Sequence, residues 1–413
     1  MPRLVPGQTT AAPEEGANGS NSNSGSNTTS GGSTSSGSNS KTPLLAVDFP
    51  DPCIVRDPLS GTWYGFGTGS WQSVLSDSTG TTTFKNIQAA SAPALGGPWT
   101  YLPDANPLPT AGNWTSYPQE NPTTDTLTWA PSVVRINLTA AGDTSQTYQY
   151  VMYYSALHPS TTINITTSAA NPVDNTTIVT NTTVTTTDTT LHCIGAALSP
   201  PNEPLGPYTP LPTPLICPLS QGGAIDPSGF VDPATGRRYI LYKVDGNSLG
   251  GGGECNNGVS PERGTPIMLQ EVDALDGVTL IGEPVQVLDR DAAVDGPLVE
   301  APELALLNGD KDDDDGGVYV LLYSNHCWDG PLYSVNYAVS KVADGGSVKG
   351  PFKRAVGAKP LIQTGDGFNI TAPGGAAWAE GGGWIVFHGN CEQGRCLFGA
   401  AIAAATNGNV TVS

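Results

Sequence analysis

Apolar and aromatic residues alternate with polar ones in short runs, which are separated by stretches rich in glycine, proline and acidic residues. The two-residue period is typical of β-strands, whose successive side chains point to opposite faces of a sheet. The clearest runs are TWYGFGTG, YQYVMYYSAL, RRYILYKVDG, GVYVLLYSNH, LYSVNYAVSK and GWIVFHGN. Few stretches are strongly helical, so the pattern predicts an all-β protein.

The strand-like runs belong to a unit that is repeated five times. The units begin near residues 51, 129, 226, 300 and 375, with the segments FPDPCIV, WAPSVV, AIDPSGF, VEAPEL and APGGAAW. Successive starts lie 78, 97, 74 and 75 residues apart, and the longest interval contains a Thr-rich insertion at 160–190. Because roughly 75 residues make a four-stranded blade, we predict a five-bladed β-propeller over residues 44–413.

The starts of the units carry residues that a propeller would bring together. The innermost strand of each blade begins near the central axis, so these starts should meet at one end of the channel. Four of them carry an acid or an aromatic residue: Asp51, Trp129, Asp226 and Glu300. A turn explains any single Asp-Pro step, and we interpret Asp57 in this way. It does not explain why acids recur at matching positions.

Three carboxyl groups in a pocket lined by aromatic residues suit the cleavage of glycosidic bonds. One acid must be protonated to release the leaving oxygen, and another must be ionised to activate water. A third raises the pKa of a neighbour by like-charge repulsion. Neither a P-loop nor a G-x-G-x-x-G segment follows a strand.

The charge of the chain limits its partners. The net charge is −20 and the pI is near 4.3, so phosphate backbones and anionic membranes would be repelled. No apolar run approaches the ~18 residues that span a bilayer. We therefore expect the protein to bind a polysaccharide or oligosaccharide, and neither nucleic acid nor membrane. We also expect it to be a monomer.

The first 43 residues and the sequons indicate a secreted protein. Residues 1–43 are mostly Gly, Ser, Asn and Thr, a composition that cannot bury enough surface to fold and that predicts a disordered linker. MPRLVPGQTT has no apolar signal region, so we expect that a signal was removed or lies outside this sequence. Glycosylation sequons begin at Asn18, Asn27, Asn113, Asn137, Asn164, Asn175, Asn181, Asn369 and Asn409.

Seven cysteines in an oxidising compartment allow up to three disulfides and one free thiol. Cys391 and Cys396 flank the short turn EQGR, so a disulfide between them would close a hairpin.

The ordered set FPDPCIVRDP, WAPSVV, AIDPSGFVDPATGRRYILY, VEAPEL and YSVNYAVSKVADGGSVKGPF resembles family 43 of the glycoside hydrolases over about residues 44–405. Members are five-bladed propellers that cleave arabinose- and xylose-containing plant polysaccharides with inversion. The resemblance implies that Asp51 is the general base, Asp226 modulates pKa and Glu300 is the general acid. Trp129 resembles a pocket aromatic residue of the family, and Arg395 a pocket arginine.

One segment departs from the family pattern. Many members open the last blade with Gly-His-Asn or Gly-His-Ser, whose histidine approaches an ion or a water molecule at the channel centre. Gly375 stands at that position here, so we expect no metal or other cofactor, and a central calcium ion is disfavoured.

Four more residues lie on loops that follow strands and are candidates for sugar subsites: Trp71, Asn325, His326 and Trp328. Aromatic rings stack on the apolar faces of sugars, although packing between blades would use the same residue types. The main alternative function is a catalytically silent sugar-binding propeller, and a transglycosylase or phosphorylase is a third. The sequence leaves open arabinoside or xyloside specificity and endo or exo action.

Overall fold

Five antiparallel sheets of four strands follow one another along the chain, and each sheet is one blade. The innermost strands of successive blades contact each other, and that of the fifth contacts that of the first, so the blades close into a ring. This is the predicted five-bladed β-propeller. The computed structural model describes residues 42–69, 74–76, 82–115, 128–139, 144–158, 162–170, 177–185, 191–307, 316–355, 359–405 and 407–413.

Blades 1 and 2 each contain an additional two-stranded sheet between their main strands. Blade 1 comprises β1 (Cys53–Arg56), β2 (Trp63–Thr68), the additional pair β3 (Val74–Ser76) and β4 (Thr82–Phe84), then β5 (Ile87–Ala92) and β6 (Thr100–Tyr101). Blade 2 comprises β7 (Thr128–Asn137), β8 (Tyr148–Leu157), the additional pair β9 (Thr162–Ala170) and β10 (Thr177–Thr185), then β11 (His192–Leu198) and β12 (Thr209–Pro210). The pair β9–β10 belongs to the Thr-rich insertion.

Blades 3 to 5 are uninterrupted. Blade 3 comprises β13 (Ala224–Val231), β14 (Arg238–Val244), β15 (Ile267–Val272) and β16 (Leu280–Leu288). Blade 4 comprises β17 (Val299–Leu307), β18 (Val318–Asn325), β19 (Ser334–Lys341) and β20 (Lys353–Arg354), and blade 5 comprises β21 (Thr371–Trp378), β22 (Trp384–Cys391), β23 (Gly394–Ala404) and β24 (Val410–Val412).

Helical segments among the described residues are short. They are one α-helix, α1 (Ala292–Asp295), and the 3-10 turns Leu219–Gln221, Gly246–Leu249, Glu254–Asn256 and Val342–Asp344. None of the described helices is long and apolar enough to cross a membrane.

The core lies between neighbouring blades. Buried side chains form four clusters, between blades 2 and 3, blades 3 and 4, blades 4 and 5, and around blade 1 with its two neighbours. Trp63 and Trp99 are both buried there. The strands therefore lose most of their apolar surface on both faces, which is the main stabilisation of a propeller.

Every innermost strand is kinked at an X-Pro step near its start. The residue before each proline has a left-handed backbone, with φ between 48° and 54°: Asp51, Ala130, Asp226, Ala301 and Ala372. In blades 2 to 5 the strand register shifts beside the kink, as in a β-bulge that re-aims side chains. Asp51 and Asp226 thus hold equivalent positions, whereas Trp129 and Glu300 precede the kink residue by one.

The second Asp-Pro turn of blades 1 and 3 is structural. Asp57 accepts hydrogen bonds from the backbone of its own turn and, at 3.0 Å, from the Tyr150 hydroxyl of blade 2. Asp232 repeats this arrangement with Tyr319 of blade 4, also at 3.0 Å. Each carboxyl group therefore caps a turn and ties its blade to the next one, as the turn interpretation of Asp57 predicts.

The chain ends and the disulfides complete the ring. Leu44 donates from its backbone N–H to the carbonyl of Leu397 on β23, which joins the start of the propeller to blade 5. The three disulfides are Cys193–Cys217, Cys255–Cys327 and Cys391–Cys396, and Cys53 is a buried free thiol. Three bridges and one thiol match the cysteine count, and the third bridge is the predicted hairpin closure.

The predicted linker, residues 1–43, lies outside the described residues except for its last two, so that assignment stays a prediction.

Candidate active site

Four of the five kinked X-Pro steps meet at one end of the central channel. They line a cavity of about 300 Å³ that is open to solvent, together with residues that include Glu303 and Gly375. Asp51 and Asp226 lie in its wall, and Glu300 lies close enough to Asp226 to repel its charge. The structure therefore brings together the three acids that the repeat predicts.

Asp51 is held in its ionised form. Its Oδ2 atom accepts a hydrogen bond from the Thr68 hydroxyl at 2.7 Å, and its Oδ1 atom lies 3.3 Å from Nη1 of Arg395. Burial alone would raise the pKa of this carboxyl group. The charge of Arg395 first, and then the hydrogen bond from the Thr68 hydroxyl, outweigh burial and hold the pKa below its usual range; His388 adds to this only where its ring is protonated.

His388 positions the backbone of Asp51. The side chain is fully buried, and Nδ1 accepts a hydrogen bond from the Asp51 N–H at 3.1 Å. Burial and the nearby Arg395 lower the pKa of His388 to about 3. The imidazole is therefore neutral at neutral pH, and Arg395 supplies the positive charge beside Asp51.

The surroundings of Asp226 have the opposite effect to those of Asp51 and raise its pKa. Its Oδ2 atom accepts a hydrogen bond from the backbone N–H of Ala301 at 3.0 Å. Burial first, and then the charge of Glu300, raise the pKa of Asp226 well above its usual range, although Lys243 acts in the other direction. The pKa is therefore lowered for Asp51 and raised for Asp226, at two equivalent kink positions, and like-charge repulsion between Asp226 and Glu300 favours one proton shared by that pair.

Glu300 is fixed through both of its carboxyl oxygens. Oε1 accepts a hydrogen bond from the Tyr333 hydroxyl at 2.9 Å, and Oε2 lies 3.1 Å from Nζ of Lys243. Glu300 is 7% exposed, and Tyr333 is 2% exposed. The ring of Tyr333 also stacks on His388, with the centroids 5.9 Å apart, so the supports of Asp51 and Glu300 touch each other.

The two glycines of APGGAAW make room for these two rings. A Cβ atom at Gly374 would lie 1.9 Å from Cε1 of Tyr333, and one at Gly375 would lie 2.8 Å from Nδ1 of His388. Gly375 also has φ of +56°, a conformation that side chains disfavour. The space where a side chain of residue 375 would lie is therefore filled by an imidazole from the adjacent strand.

The residues at the channel mouth do not fit a calcium ion held by protein oxygens. Such an ion needs ~6–8 oxygen ligands, whereas the wall consists mainly of prolines, alanines and glycine with Asp51, Asp226 and Glu303. Nδ1 of His388 accepts the Asp51 N–H, so the ring proton lies on Nε2, which cannot bind a cation in that form. Both groups of three potential metal ligands among the described residues include a disulfide pair.

One predicted sugar-binding residue, Arg395, lies directly beside Asp51, and a second, Trp328, packs on Arg395. The Arg395 guanidinium, which pairs with Asp51, lies over the ring of Trp328 at 5.2 Å from the centroid. Trp328 is 48% exposed, and the disulfide of the preceding residue, Cys327, to Cys255 anchors its loop. An exposed indole that continues into a charged pair suits a sugar with one apolar face and several hydroxyl groups.

The other predicted residues are placed differently. Trp129 is half-buried and packs edge-to-face on His192, at 4.7 Å between centroids. Asn325 is buried, and its amide accepts a hydrogen bond from Ser334, which places it beneath the loop. His326 is half-buried against Gly296. Trp71 lies outside the described residues.

Several residues that hold the three acids are absent from the sequence predictions, among them Lys243, Tyr333 and His388. Each of these three follows or interrupts an apolar run, as in YILYKV and WIVFHG, and lies within or next to the second or third strand of its blade. A charged residue inside such a run is a usable signal, because buried ionisable side chains are rare unless they are paired.

Comparison with known families identifies the chain. It matches the model of Glycosyl hydrolases family 43 over residues 40–405. This is most of the chain, so the protein belongs to that family, as the motif set indicates. Among curated protein sequences, none matches.

Solved structures of low sequence identity share the fold. An exo-1,5-alpha-L-arabinanase from a bovine ruminal metagenomic library is 17% identical, with a TM-score of 0.52, over 89% of this chain and 97% of that one. A family 43 beta-xylosidase/alpha-arabinofuranosidase from a compost microbial metagenome is 16% identical, with a TM-score of 0.51, over 91% and 97%. An exo-beta-1,3-galactanase from Phanerochaete chrysosporium is 14% identical, with a TM-score of 0.52, over 91% and 66%.

Proposed function

We propose that this family 43 hydrolase is secreted and cleaves arabinose- or xylose-containing plant polysaccharides with inversion at the anomeric carbon. Asp51 is the general base, Glu300 is the general acid and Asp226 modulates the pKa of the acid. The observation that carries the proposal is the meeting of the three acids at one end of the channel, where Arg395 holds Asp51 ionised and Glu300 lies beside Asp226 closely enough for the two carboxyl groups to repel each other.

The reaction follows from these roles. Glu300 transfers its proton to the glycosidic oxygen, and the bond from that oxygen to the anomeric carbon breaks with its electron pair on the oxygen. Water attacks the anomeric carbon from the opposite side and gives a proton to Asp51. Because water must fit between base and sugar, we expect the carboxyl groups of Asp51 and Glu300 to stand roughly 6.5–9.5 Å apart.

The substrate class rests on the relatives and on the pocket wall. Arabinan- and xylan-type activities appear in the names of two structures with this fold, and a galactanase is a third. Trp328 and Arg395 offer a stacking face and hydrogen-bond donors beside the base, which suits a neutral sugar. The sequons and the disulfides are consistent with an extracellular protein.

The test is a panel of arabinosides, xylosides and galactosides, assayed for release of reducing sugar, with NMR of the first product. We expect the inverted anomer from at least one arabinoside or xyloside, and no turnover by Asp51→Asn. Asp344→Asn, which changes an exposed carboxyl group that pairs with Lys341, is the matched control and should act like the wild type. Binding of oligosaccharides without cleavage would instead support the silent sugar-binding propeller, and a retained anomer would contradict the mechanism.

A further inference from the structure

Side chains at the inner ends of the second strands link each blade to the next. In four of the five blades this side chain accepts a hydrogen bond from a backbone N–H of the following innermost segment: Thr68 from Ala130, Ser155 from Asp226, Ser324 from Gly375 and His388 from Asp51. In blade 3 the strand register places Lys243 where blades 2 and 4 have Ser155 and Ser324. Among these five linking positions, blade 3 has a cation, Lys243, where the other four blades have a neutral acceptor.

Lys243 reaches the acid of the next blade. Its side chain is 1% exposed, and Nζ lies 3.1 Å from Oε2 of Glu300 and 3.0 Å from Oδ1 of Asp245. The backbone N–H of Ala301, next to Glu300, bonds to Asp226 instead. Blade 3 therefore joins blade 4 without a hydroxyl group at position 243. A buried lysine is strongly unfavourable unless its charge is paired.

We propose that Lys243 is a positioning residue for the general acid, which holds the carboxyl group of Glu300 and, balanced by Asp245, sets the pH range in which Glu300 delivers its proton. This inference rests on the proposed function. The buried pair of Lys243 and Asp245 then sets the pH range of proton donation by Glu300, in addition to the effect of Asp226.

The need for a cation follows from the reaction. Donation of the proton leaves Glu300 negatively charged beside Asp226 in a buried site, which burial and repulsion both oppose. The ammonium group of Lys243 stabilises that charge as it forms. Asp245 removes part of this effect, and its other oxygen is held at 3.2 Å from Nδ1 of His192 and by the hydroxyl of Ser248.

Other charged or titratable groups lie near Lys243, Glu300 and Asp245, and none of them is substituted in this experiment. The groups that act directly on Lys243, Glu300 or Asp245 are Asp226 on β13, Tyr333 before β19 and His192 on β11. Asp51, before β1, acts on Asp226, and His388 on β22 and Arg395 on β23 lie beside Asp51.

Two variants of opposite sign test the inference through the alkaline limb of kcat/KM against pH, which reports the acid. Lys243→Met removes the cation, so the limb should move to higher pH by roughly 1–3 units. Asp245→Asn leaves Lys243 unbalanced, so the limb should move to lower pH. Lys243→Arg should restore most of the wild-type profile, and Lys349→Met, on an exposed lysine, should leave it unchanged.

A second comparison separates electrostatics from folding. Lys243→Met should slow glycosides with poor leaving groups more than aryl glycosides that need little protonation. If the single variants do not fold, the double variant Lys243→Met/Asp245→Asn removes both charges at once and should still show the upward shift. Limbs that stay within 0.3 unit (about the precision of such profiles), or that move in the same direction in both single variants, would overturn the proposal.

The role of Lys243 can also be tested without a substrate. The carboxyl carbons of Glu300 and Asp226 can be titrated by carbon-13 NMR in the wild type and in Lys243→Met without any glycoside. A higher pKa of Glu300 in Lys243→Met than in the wild type supports the role of Lys243, even if the substrate panel shows no hydrolysis. Identical titration curves in the two proteins refute that role, even if the panel shows hydrolysis.

Discussion

A methyl group at Gly374 would strike the ring that holds the general acid. The Cβ atom of Gly374→Ala would lie 1.9 Å from Cε1 and 2.6 Å from Cδ1 of Tyr333, whereas Cβ contacts under 3.0 Å essentially never occur. The ring must therefore move by about 1 Å. It has little room to do so, because Tyr333 is 2% exposed and stacks on His388.

The displacement carries two separate costs. Overpacking of this kind lowers the free energy of unfolding by about 1–3 kcal/mol. The hydrogen bond from the Tyr333 hydroxyl to Glu300, 2.9 Å long, is lost. Glu300 becomes charged as it gives up its proton, and a hydrogen bond to a charged group contributes about 1.5–3 kcal/mol. At about 1.4 kcal/mol for each factor of ten, kcat/KM on substrates with poor leaving groups should fall roughly 10- to 100-fold.

The assay pairs thermal or urea unfolding with kcat/KM for three variants. Gly374→Ala should lose both stability and activity. Gly367→Ala is the control from the segment before β21, because nothing lies within 4 Å of its added Cβ atom. Tyr333→Phe removes the hydroxyl without moving the ring, so it should lose activity and less stability. If Gly374→Ala unfolds and turns over like Gly367→Ala, the proposed support of Glu300 by Tyr333 is wrong.

Two further predictions concern protons and metals. The folded-state pKa of Asp226 is raised, so this group lowers stability as pH rises above its unfolded pKa of about 3.9. By calorimetry, Asp226→Asn should therefore unfold at a higher temperature than the wild type at neutral pH, and at the same temperature below about pH 4. Unfolding temperatures that change in parallel for both proteins from pH 3 to 8 would contradict this. Exhaustive chelation should leave the activity on the best substrate of the panel unchanged, since the channel mouth does not fit a calcium ion, and loss of activity that calcium restores would show that an ion acts there.

The positions of Asp51, Asp226 and Glu300 follow from the sequence because strand period and blade repeat act over short distances. Each unit contains its own strands, turns and X-Pro step, so the number of blades and the residues at the axis can be read from one chain. The repeat is clearer in the structure than in the segments that define the units, since the five kinked X-Pro steps align Glu300 and Trp129 one residue before Asp51 and Asp226.

The supports of these acids do not follow in the same way. Lys243 and Glu300 belong to different blades and are 57 residues apart, and His388 lies 337 residues from Asp51. Such contacts depend on how the ring closes, which no local pattern contains. For the same reason, the sequence alone does not show whether Asn325 is buried beneath its loop or lies on the surface of the pocket.

The closure of the ring gives the departure at Gly375 a physical reason. Blades 1, 2 and 4 hold the next innermost strand with a hydroxyl group, but blade 5 must hold the backbone of Asp51 and does so with the larger imidazole of His388. That ring fits only because residue 375 has no side chain, since a Cβ atom there would approach Nδ1 to 2.8 Å and the Asp51 Cα to 3.3 Å. The glycine that weakens the case for a central ion is therefore the residue that allows the general base to be held in place.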